Sequence, residues 1–302
     1  MTNRIPDPDS ARLILPDQCT LMGIVNCTPD SFSDGGRFLA LEKALDHARR
    51  LMDEGAGILD IGGESTRPFA SPVSSEEECR RVIPLLRELR KESTIPLSID
   101  TRKASVAKAA IEAGIDMVND ISALADPDML SLCAEAGVHV VLMHMQNDPQ
   151  TMQIAPQYKH VVKEVKNFLR IKVELAVKGG IAADRILIDP GIGFGKTLED
   201  NLKLMAHLND LKELGCPLLL GTSRKRFIRT ITARNGREPD TLSPEVLAGT
   251  LTTAILGVQS GAKVLRVHDV AATRAALEVN RAITLAGQPC ERNAGILPAD
   301  LS

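Results

Sequence analysis

The sequence predicts an α/β protein, a closed (β/α)8 barrel of parallel strands, and three observations support that prediction. Eight short apolar runs recur along the chain: "TLMGIVN", "GILDIGG", "IPLSID", "DMVND", "VHVVLMH", "RILIDP", "PLLLGTS" and "KVLRVHD". Helical patterns such as "LEKALDHARRLMDEG" separate them, and this alternation is typical of a parallel sheet. The length of 302 residues suits such a barrel, which commonly runs to about 250 residues as one domain. The alternative is a doubly wound sheet, which typically uses about six strands.

Capping signals mark where the helices begin and end. Ser74 and Glu77 stand at capping-box spacing, and Pro244 follows Ser243 at the start of a later helix. Glycines close several helical patterns, at Gly55, Gly114 and Gly137. We expect residues 1–19 to form a lead-in at the base of the barrel, residues 20–286 the barrel itself, and residues 287–302 a disordered tail.

Composition excludes several classes of protein. The 44% apolar content is ample for a core. The net charge is −3 and the sequence has no block of basic residues, so it does not predict binding to nucleic acid or to an anionic membrane. No apolar run is long enough to span a bilayer, and "MTNRIPDPDS" has no apolar signal core. The six cysteines contain no C-x-x-C pair. They predict reduced thiols in a cytoplasmic protein, in preference to zinc ligands or disulfides.

The predicted strands end in polar side chains, and strand ends are where a barrel of this kind gathers its active site. These residues are Asn26, Glu64, Asp100, Asn119, Asp120, His144, Asp189, Ser223, Lys225, Arg266 and His268. Capping explains some of them, particularly Asp120 and Glu64, and His144 is best interpreted as structural support. The remaining residues predict a binding site at one end of the barrel.

The polar groups divide by chemistry. Asp100, Asn119 and Asp189 suit a heterocycle with an aminopyrimidinone edge, because a carboxylate can accept from a ring N–H and an exocyclic amine together. The last and first strands adjoin when the barrel closes. Arg266, His268 and Asn26 therefore predict an anion site there, where barrels often bind phosphate.

The glycines after Asp189, in "DPGIGFGKT", superficially resemble a phosphate-binding loop. Such a loop needs a glycine where Pro190 stands, and proline has no N–H to offer a phosphate. The carboxylate of Asp189 would also repel a phosphate. We therefore expect these glycines to let a flat ring approach the backbone closely.

Eight motifs together resemble the dihydropteroate synthases, in order and over about residues 20–285. They are "MGIVNCTPDSFSDGG", "DIGGESTRP", "SIDTRK", "VNDI", "LMHMQ", "DPGIGFGK", "SRK" and "RVHDV". The resemblance implies a TIM barrel that acts in folate biosynthesis. It implies condensation of 6-hydroxymethyl-7,8-dihydropterin diphosphate with 4-aminobenzoate, release of pyrophosphate, a Mg²⁺ ion, sulfonamide sensitivity and a homodimer.

The resemblance also implies a role for individual residues. Pterin recognition falls to Asp100, Asn119, Ile121, Met143, Asp189, Gly193 and Lys225. Diphosphate binding falls to Asn26, Thr66, Arg67, Arg266 and His268, with Asn26 also at the Mg²⁺ site. The aminobenzoate would contact Phe32, Ser33, Pro68, Phe194 and Ser223. Catalytic roles fall to Asp100, Lys225, Arg67 and Asp34. Residues 32–34 and 66–68 belong to two mobile loops of the family.

One residue departs from the family pattern, and two other functions stay open. Phe69 stands after "STRP", where the family usually has glycine. Its ring is expected either to face solvent or to face inward and crowd the edge of the aminobenzoate subsite. A pterin-binding methyltransferase is one alternative, although it is not expected to need both complete loop motifs. A catalytically silent pterin-binding paralogue is the other, although no site residue has been lost here.

Overall fold

Eight parallel strands close into one barrel, as the apolar runs predict. The computed structural model describes residues 18–27, 36–65 and 71–287. Within them the strands follow one another around the barrel in chain order, and the first pairs with the last. They are β1 (Thr20–Asn26), β2 (Ile58–Gly62), β3 (Leu97–Asp100), β4 (Met117–Asp120), β5 (His139–Met143), β6 (Ile186–Asp189), β7 (Leu218–Leu220) and β8 (Ala262–Val267).

Helices pack around the outside of this barrel. In the described residues they are α1 (Gly36–Asp53), α2 (Ser75–Glu92), α3 (Ala104–Glu112), α4 (Met129–Ala136), α5 (Val161–Lys178), α6 (Leu198–Ala206), α7 (Arg226–Ile231), α8 (Pro244–Gln259) and α9 (Val270–Ala286). Both α7 and α8 follow β7, so that connection holds two helices where the sequence pattern predicts one. None of the described helices is long and apolar enough to cross a membrane.

Local signals set the helix boundaries. The Ser74 hydroxyl accepts the backbone N–H of Glu77 before α2, and the Ser243 hydroxyl accepts that of Val246 before α8. Gly137 ends α4 in the left-handed conformation with φ of 65°. The predicted lead-in (1–19) and tail (287–302) lie almost entirely outside the described residues.

Apolar side chains fill the lower half of the barrel interior. This layer, which we call the plug, contains Met22, Ile58, Met117, Val141, Leu187, Leu219 and Val264. All seven are at most 1% exposed, so the barrel is a packed core and not a pore. A separate and larger apolar core lies between the strands and the surrounding helices.

The plug fixes which residues face the upper half of the barrel. Side chains alternate along a strand, so the residue two positions after each plug residue points inward again. These residues are Ile24, Asp60, Asn119, Met143, Asp189, Gly221 and Arg266. Register places Asn26, Gly62, Asp100 and Asn119 in one row across the first four strands. The inward layer above the plug therefore contains ionisable and amide side chains, which the plug lacks.

Candidate active site

A guanidinium joins two buried carboxylates at the centre of this layer. Arg266 Nε donates to Asp60 Oδ2 at 2.6 Å, and its Nη2 donates to Asp100 Oδ2 at 2.7 Å. The amide of Asn119 also donates to Asp60 Oδ2, at 3.1 Å. Asp60 is fully buried, whereas Asp100 is 8% exposed and lines the cavity above. One cation thus ties β2, β3 and β8 together.

The sequence reading missed Asp60, although a signal for it exists. An acidic residue inside the apolar run "ILDIG", two positions after Ile58, must face the barrel interior by alternation. A buried carboxylate in that place needs a partner. Arg266 and Asn119 supply it.

Asp100 is held in an environment that disfavours its charge. Burial raises the pKa of Asp100 to about 7, the Arg266 guanidinium opposes the rise, and Asp60 adds to it. Its second oxygen, Oδ1, is buried with no hydrogen-bond partner among the described residues. An unmatched buried acceptor costs free energy. A ligand N–H that reached this oxygen would remove that cost.

Asp189 stands at the end of β6 and shapes the turn after it. Its Oδ1 accepts the backbone N–H of Gly191 at 2.7 Å, and burial raises its pKa. A Cβ on Gly191 would lie 1.9 Å from the carbonyl oxygen of His144, and φ there is +65°. Only glycine fits this close approach of two backbones.

A buried ammonium holds the rest of this glycine-rich loop. Lys196 Nζ donates to the carbonyls of Gly191 and Phe194, both at 2.9 Å, and the His144 carbonyl lies farther away, at 3.3 Å. It also lies 2.9 Å from His144 Nδ1. The imidazole accepts there, because an ammonium can only donate. His144 is therefore structural support, as its pattern predicts, and Lys196 anchors the loop that borders the cavity.

Lys225 and Phe194 form one wall of the cavity. The Lys225 ammonium lies 3.9 Å from the centroid of the Phe194 ring, a cation–π contact. Burial lowers the pKa of Lys225 to about 8 against the opposing attraction of Asp189. The Lys225 side chain also covers Gly193, where a Cβ would lie 3.1 Å from its Cδ. The wall therefore combines a cation, an aromatic face and bare backbone.

Ser223 positions the imidazole of His268 at the other side of the cavity. The Ser223 hydroxyl lies 3.0 Å from His268 Nδ1 and accepts the His268 backbone N–H at 3.2 Å. Burial lowers the pKa of His268 to about 3, and Arg224 and Arg266 add to this effect. The ring is therefore neutral near pH 7 and acts as a hydrogen-bonding group.

The structure brings most of the predicted site residues around one cavity that encloses about 480 Å³ of empty space, including its mouth. Its lining contains Ile24, Asp100, Asn119, Ile121, Met143, Asp189, Ile192, Phe194, Gly221, Ser223, Lys225, Arg266 and His268. Asn26 lines a neighbouring cleft that shares Ile24 and His268 with this cavity. Gly193 is not part of either lining and lies beneath the Lys225 side chain. The other predicted residues lie outside the described ranges: Phe32, Ser33, Asp34, Thr66, Arg67, Pro68 and the departure at Phe69.

Comparisons with known proteins agree on one family. A family model described as pterin binding enzyme matches residues 22–268. The dihydropteroate synthase of Synechocystis sp. is 47% identical over 83% of this chain and 86% of its own length. A Xanthomonas albilineans dihydropteroate synthase solved with 4-aminobenzoic acid is 49% identical, with a TM-score of 0.83 over 90% of this chain and 95% of that one.

A second Xanthomonas albilineans structure, in complex with 7,8-dihydropteroate, is 46% identical with a TM-score of 0.82 and covers 94% of this chain and 100% of that one. Similarity at this level extends along nearly the whole barrel, including every described strand that contributes to the cavity. The chain belongs to the pterin-binding enzymes and, within them, to the dihydropteroate synthases.

Proposed function

We infer that this protein condenses 6-hydroxymethyl-7,8-dihydropterin diphosphate with 4-aminobenzoate, forming 7,8-dihydropteroate and pyrophosphate. One observation carries the inference: Asp100, Asn119, Asp189 and Lys225 converge on a single cavity at the carboxyl ends of four strands. Solved relatives that are 46–49% identical hold 4-aminobenzoic acid or 7,8-dihydropteroate. The enzyme is therefore a transferase of folate biosynthesis.

The pterin end of the site recognises a ring by its hydrogen-bond donors. Asp100 on β3 and Asp189 on β6 offer carboxylate oxygens to the cavity, and Asn119 stands on β4, between these strands in the barrel order. Ile121 and Met143 are 4% and 3% exposed and supply apolar faces for the ring. A flat heterocycle with several N–H groups satisfies both features together.

The chemistry requires a leaving group and a stabilised electrophile. The C–O bond between the pterin methylene and the diphosphate breaks, and its electron pair leaves with the diphosphate. The amine nitrogen of 4-aminobenzoate then bonds to the methylene carbon and releases a proton. An ionised Asp100 beside the ring stabilises the positive charge that develops before the amine attacks. No covalent bond to the protein is needed.

The leaving diphosphate would bind where β8 and β1 adjoin, at Arg266, His268 and Asn26. Two of the Arg266 nitrogens already contact carboxylates, so its remaining N–H groups are those that can face the anion. His268 contributes a neutral imidazole. Thr66 and Arg67 are proposed to add to this site from the second loop.

The residues at this end fit a Mg²⁺ ion that arrives with the substrate. Mg²⁺ keeps several waters and usually takes one or two protein oxygens plus substrate phosphates. Asn26 offers one amide oxygen, and it lines the same cleft as His268, where the diphosphate is proposed to bind. Asn26 would hold Mg²⁺, which neutralises charge on the diphosphate when bound.

The aminobenzoate is proposed to lie against Phe194, Lys225 and Ser223, at the outer wall of the cavity. An aromatic ring can stack on Phe194, and the Lys225 ammonium stands close to that ring. Phe32, Ser33 and Pro68 would complete this subsite, with Asp34 and Arg67 as further catalytic groups from the two loops. Because residues of the two loops complete this subsite, we propose that 4-aminobenzoate binds as the second substrate, after the pterin diphosphate.

We expect the enzyme to be a homodimer that works in the cytoplasm. Aliphatic side chains on α8 and α9 are exposed, among them Leu256 at 48%, Val279 at 60% and Ile283 at 69%. A patch of this kind is typical of a subunit interface.

The described cysteines are free thiols, and burial raises the pKa of Cys27 and Cys133 to about 12, so both are protonated at neutral pH. Unreactive thiols of this kind suit a reducing compartment.

The decisive experiment measures pyrophosphate release from pterin diphosphate, with and without 4-aminobenzoate. A dihydropteroate synthase releases pyrophosphate in step with dihydropteroate and depends on the arylamine. Methyl transfer from methyltetrahydrofolate without arylamine-dependent release would identify a pterin-binding methyltransferase. Pterin binding with neither reaction would identify a silent paralogue. Either outcome contradicts the proposal.

A further inference from the structure

A second cleft adjoins the reaction cavity between α1 and the end of β8. It encloses about 1040 Å³ of empty space, including its opening to solvent. Its lining contains Ile24, Asn26, Lys43, Asp46, His47, Arg50 and His268. Ile24 and His268 line the reaction cavity as well, so the two spaces meet at these residues.

The reaction cavity itself has little positive charge to spare for a diphosphate. Arg266 is bound by Asp60 and Asp100, and Lys225 is attracted by Asp189. Three carboxylates therefore face two cations. His268 is neutral. Beyond the proposed Mg²⁺ ion and Arg67, a diphosphate that carries several negative charges is stabilised further by cations nearby.

Helix α1 presents such cations to the cleft. Lys43 is exposed and makes no hydrogen bond or ion pair with any residue in the described part of the chain. The Arg50 guanidinium is 66% exposed and only loosely paired, with its Nε 3.7 Å from Glu54. Asp46 is the acidic group of the lining, and Arg49 already binds it at 2.9 Å.

His47 holds the Arg50 guanidinium in place. Its Nδ1 lies 2.8 Å from Arg50 Nη2, and its Nε2 lies 3.2 Å from the Ile24 carbonyl. Arginine can only donate and a carbonyl can only accept, so Nδ1 accepts and Nε2 carries the proton. Burial lowers the pKa of His47, with Arg50 acting in the same direction, which favours this neutral form. The cation at the rim is thus oriented through β1.

We propose that this cleft extends the diphosphate site, and that Lys43 and Arg50 bind the diphosphate group beside Asn26 and His268. It rests on the proposed function, since that reaction supplies the anion at the shared boundary. The ligand class is a diphosphate, either as released pyrophosphate or as the diphosphate of the bound pterin. Lys43 and Arg50 lower the free energy of the anion where it extends from the reaction cavity into the cleft.

The test compares two double variants with equal loss of charge. Lys43→Gln with Arg50→Gln removes the cleft cations, whereas Arg87→Gln with Lys108→Gln removes two exposed cations from α2 and α3. Inorganic pyrophosphate is titrated into each protein by calorimetry with Mg²⁺ present. The cleft variant should bind pyrophosphate about tenfold more weakly and with a flatter dependence on salt. Its affinity for a diphosphate-free pterin should stay within about twofold.

Steady-state kinetics separates the two sources of the anion. A rise confined to the pyrophosphate inhibition constant assigns the cleft to the released product, and an equal rise in KM for pterin diphosphate assigns it to the substrate. Unchanged pyrophosphate affinity in the cleft variant overturns this extension of the diphosphate site, as does an equal loss in the control variant. Failure of the native enzyme to turn over would instead overturn the proposed function, while pyrophosphate affinity would still report on the cleft.

Discussion

Asp60 and Asp100 share the guanidinium of Arg266, but only Asp100 lines the cavity. Asp100→Asn should therefore lower kcat by about a hundredfold or more, because the developing cation loses its nearby anion. Asp60→Asn is the matched control, since it removes the other negative charge beside Arg266 without changing the cavity wall. Steady-state kinetics on both purified variants tests this. Equal losses of kcat in the two variants would mean that turnover depends on the carboxylates only because they position Arg266, and that the negative charge of Asp100 beside the ring does not stabilise the cation.

The raised pKa of Asp100 predicts a pH dependence of pterin binding. Burial places this pKa at about 7, so the ionised fraction of Asp100 in the free enzyme falls as the pH drops through that value. A protonated carboxyl accepts hydrogen bonds less well, and affinity for a diphosphate-free pterin should fall with it. Calorimetry without the diphosphate avoids the titration of phosphate oxygens. Asp100→Asn should flatten the profile, and a similar slope in that variant would assign the titration to another group.

At the level of elements, the loop between β6 and α6 depends on a buried ammonium. Lys196→Met removes the donor to the carbonyls of Gly191 and Phe194 and leaves them without it. We expect the free energy of unfolding to fall by about 2–4 kcal/mol, measured by urea denaturation. Pterin affinity should fall as well, because Phe194 lines the cavity. Lys178→Met, at an exposed position on α5, is the control.

A loss below about 1 kcal/mol in Lys196→Met would show that backbone geometry alone holds the loop. The turn does have its own constraints, since Gly191, Gly193 and Gly195 all adopt positive φ. Asp189 also accepts the backbone N–H of Gly191. Stability and pterin affinity together therefore distinguish an anchor of the loop from an incidental buried lysine.

For the whole molecule, the exposed apolar face of α8 and α9 predicts the subunit interface. Ile283→Asp should dissociate the proposed dimer, because it places an unpaired charge in a surface that association buries. Sedimentation equilibrium measures the change. Ile171→Asp is the matched control, since Ile171 on α5 is also aliphatic and 48% exposed. A native protein that is monomeric, or a dimer that only Ile171→Asp dissociates, would contradict this assignment.

The sequence by itself determined the fold class, the family and most of the cavity lining. The fold class and the polar lining follow from local patterns: strands alternate with helices, and polar residues such as Asn119 and Asp189 stand where strands end. The family, with Ile121 and Met143 as apolar walls, follows from the resemblance of the eight motifs. The glycines after Asp189 predict room for a flat ring against the backbone, whereas in the structure Gly191 faces the backbone of His144.

The tertiary structure alone decided which of these groups meet. Arg266 binds Asp60 across 206 residues of chain, and Lys196 reaches His144 across 52. The cleft that joins Lys43 to His268 exists only because β1 pairs with β8. A pattern along the chain reports which face a side chain occupies. Its partner depends on strand register and on closure of the barrel, which bring distant residues within hydrogen-bonding distance.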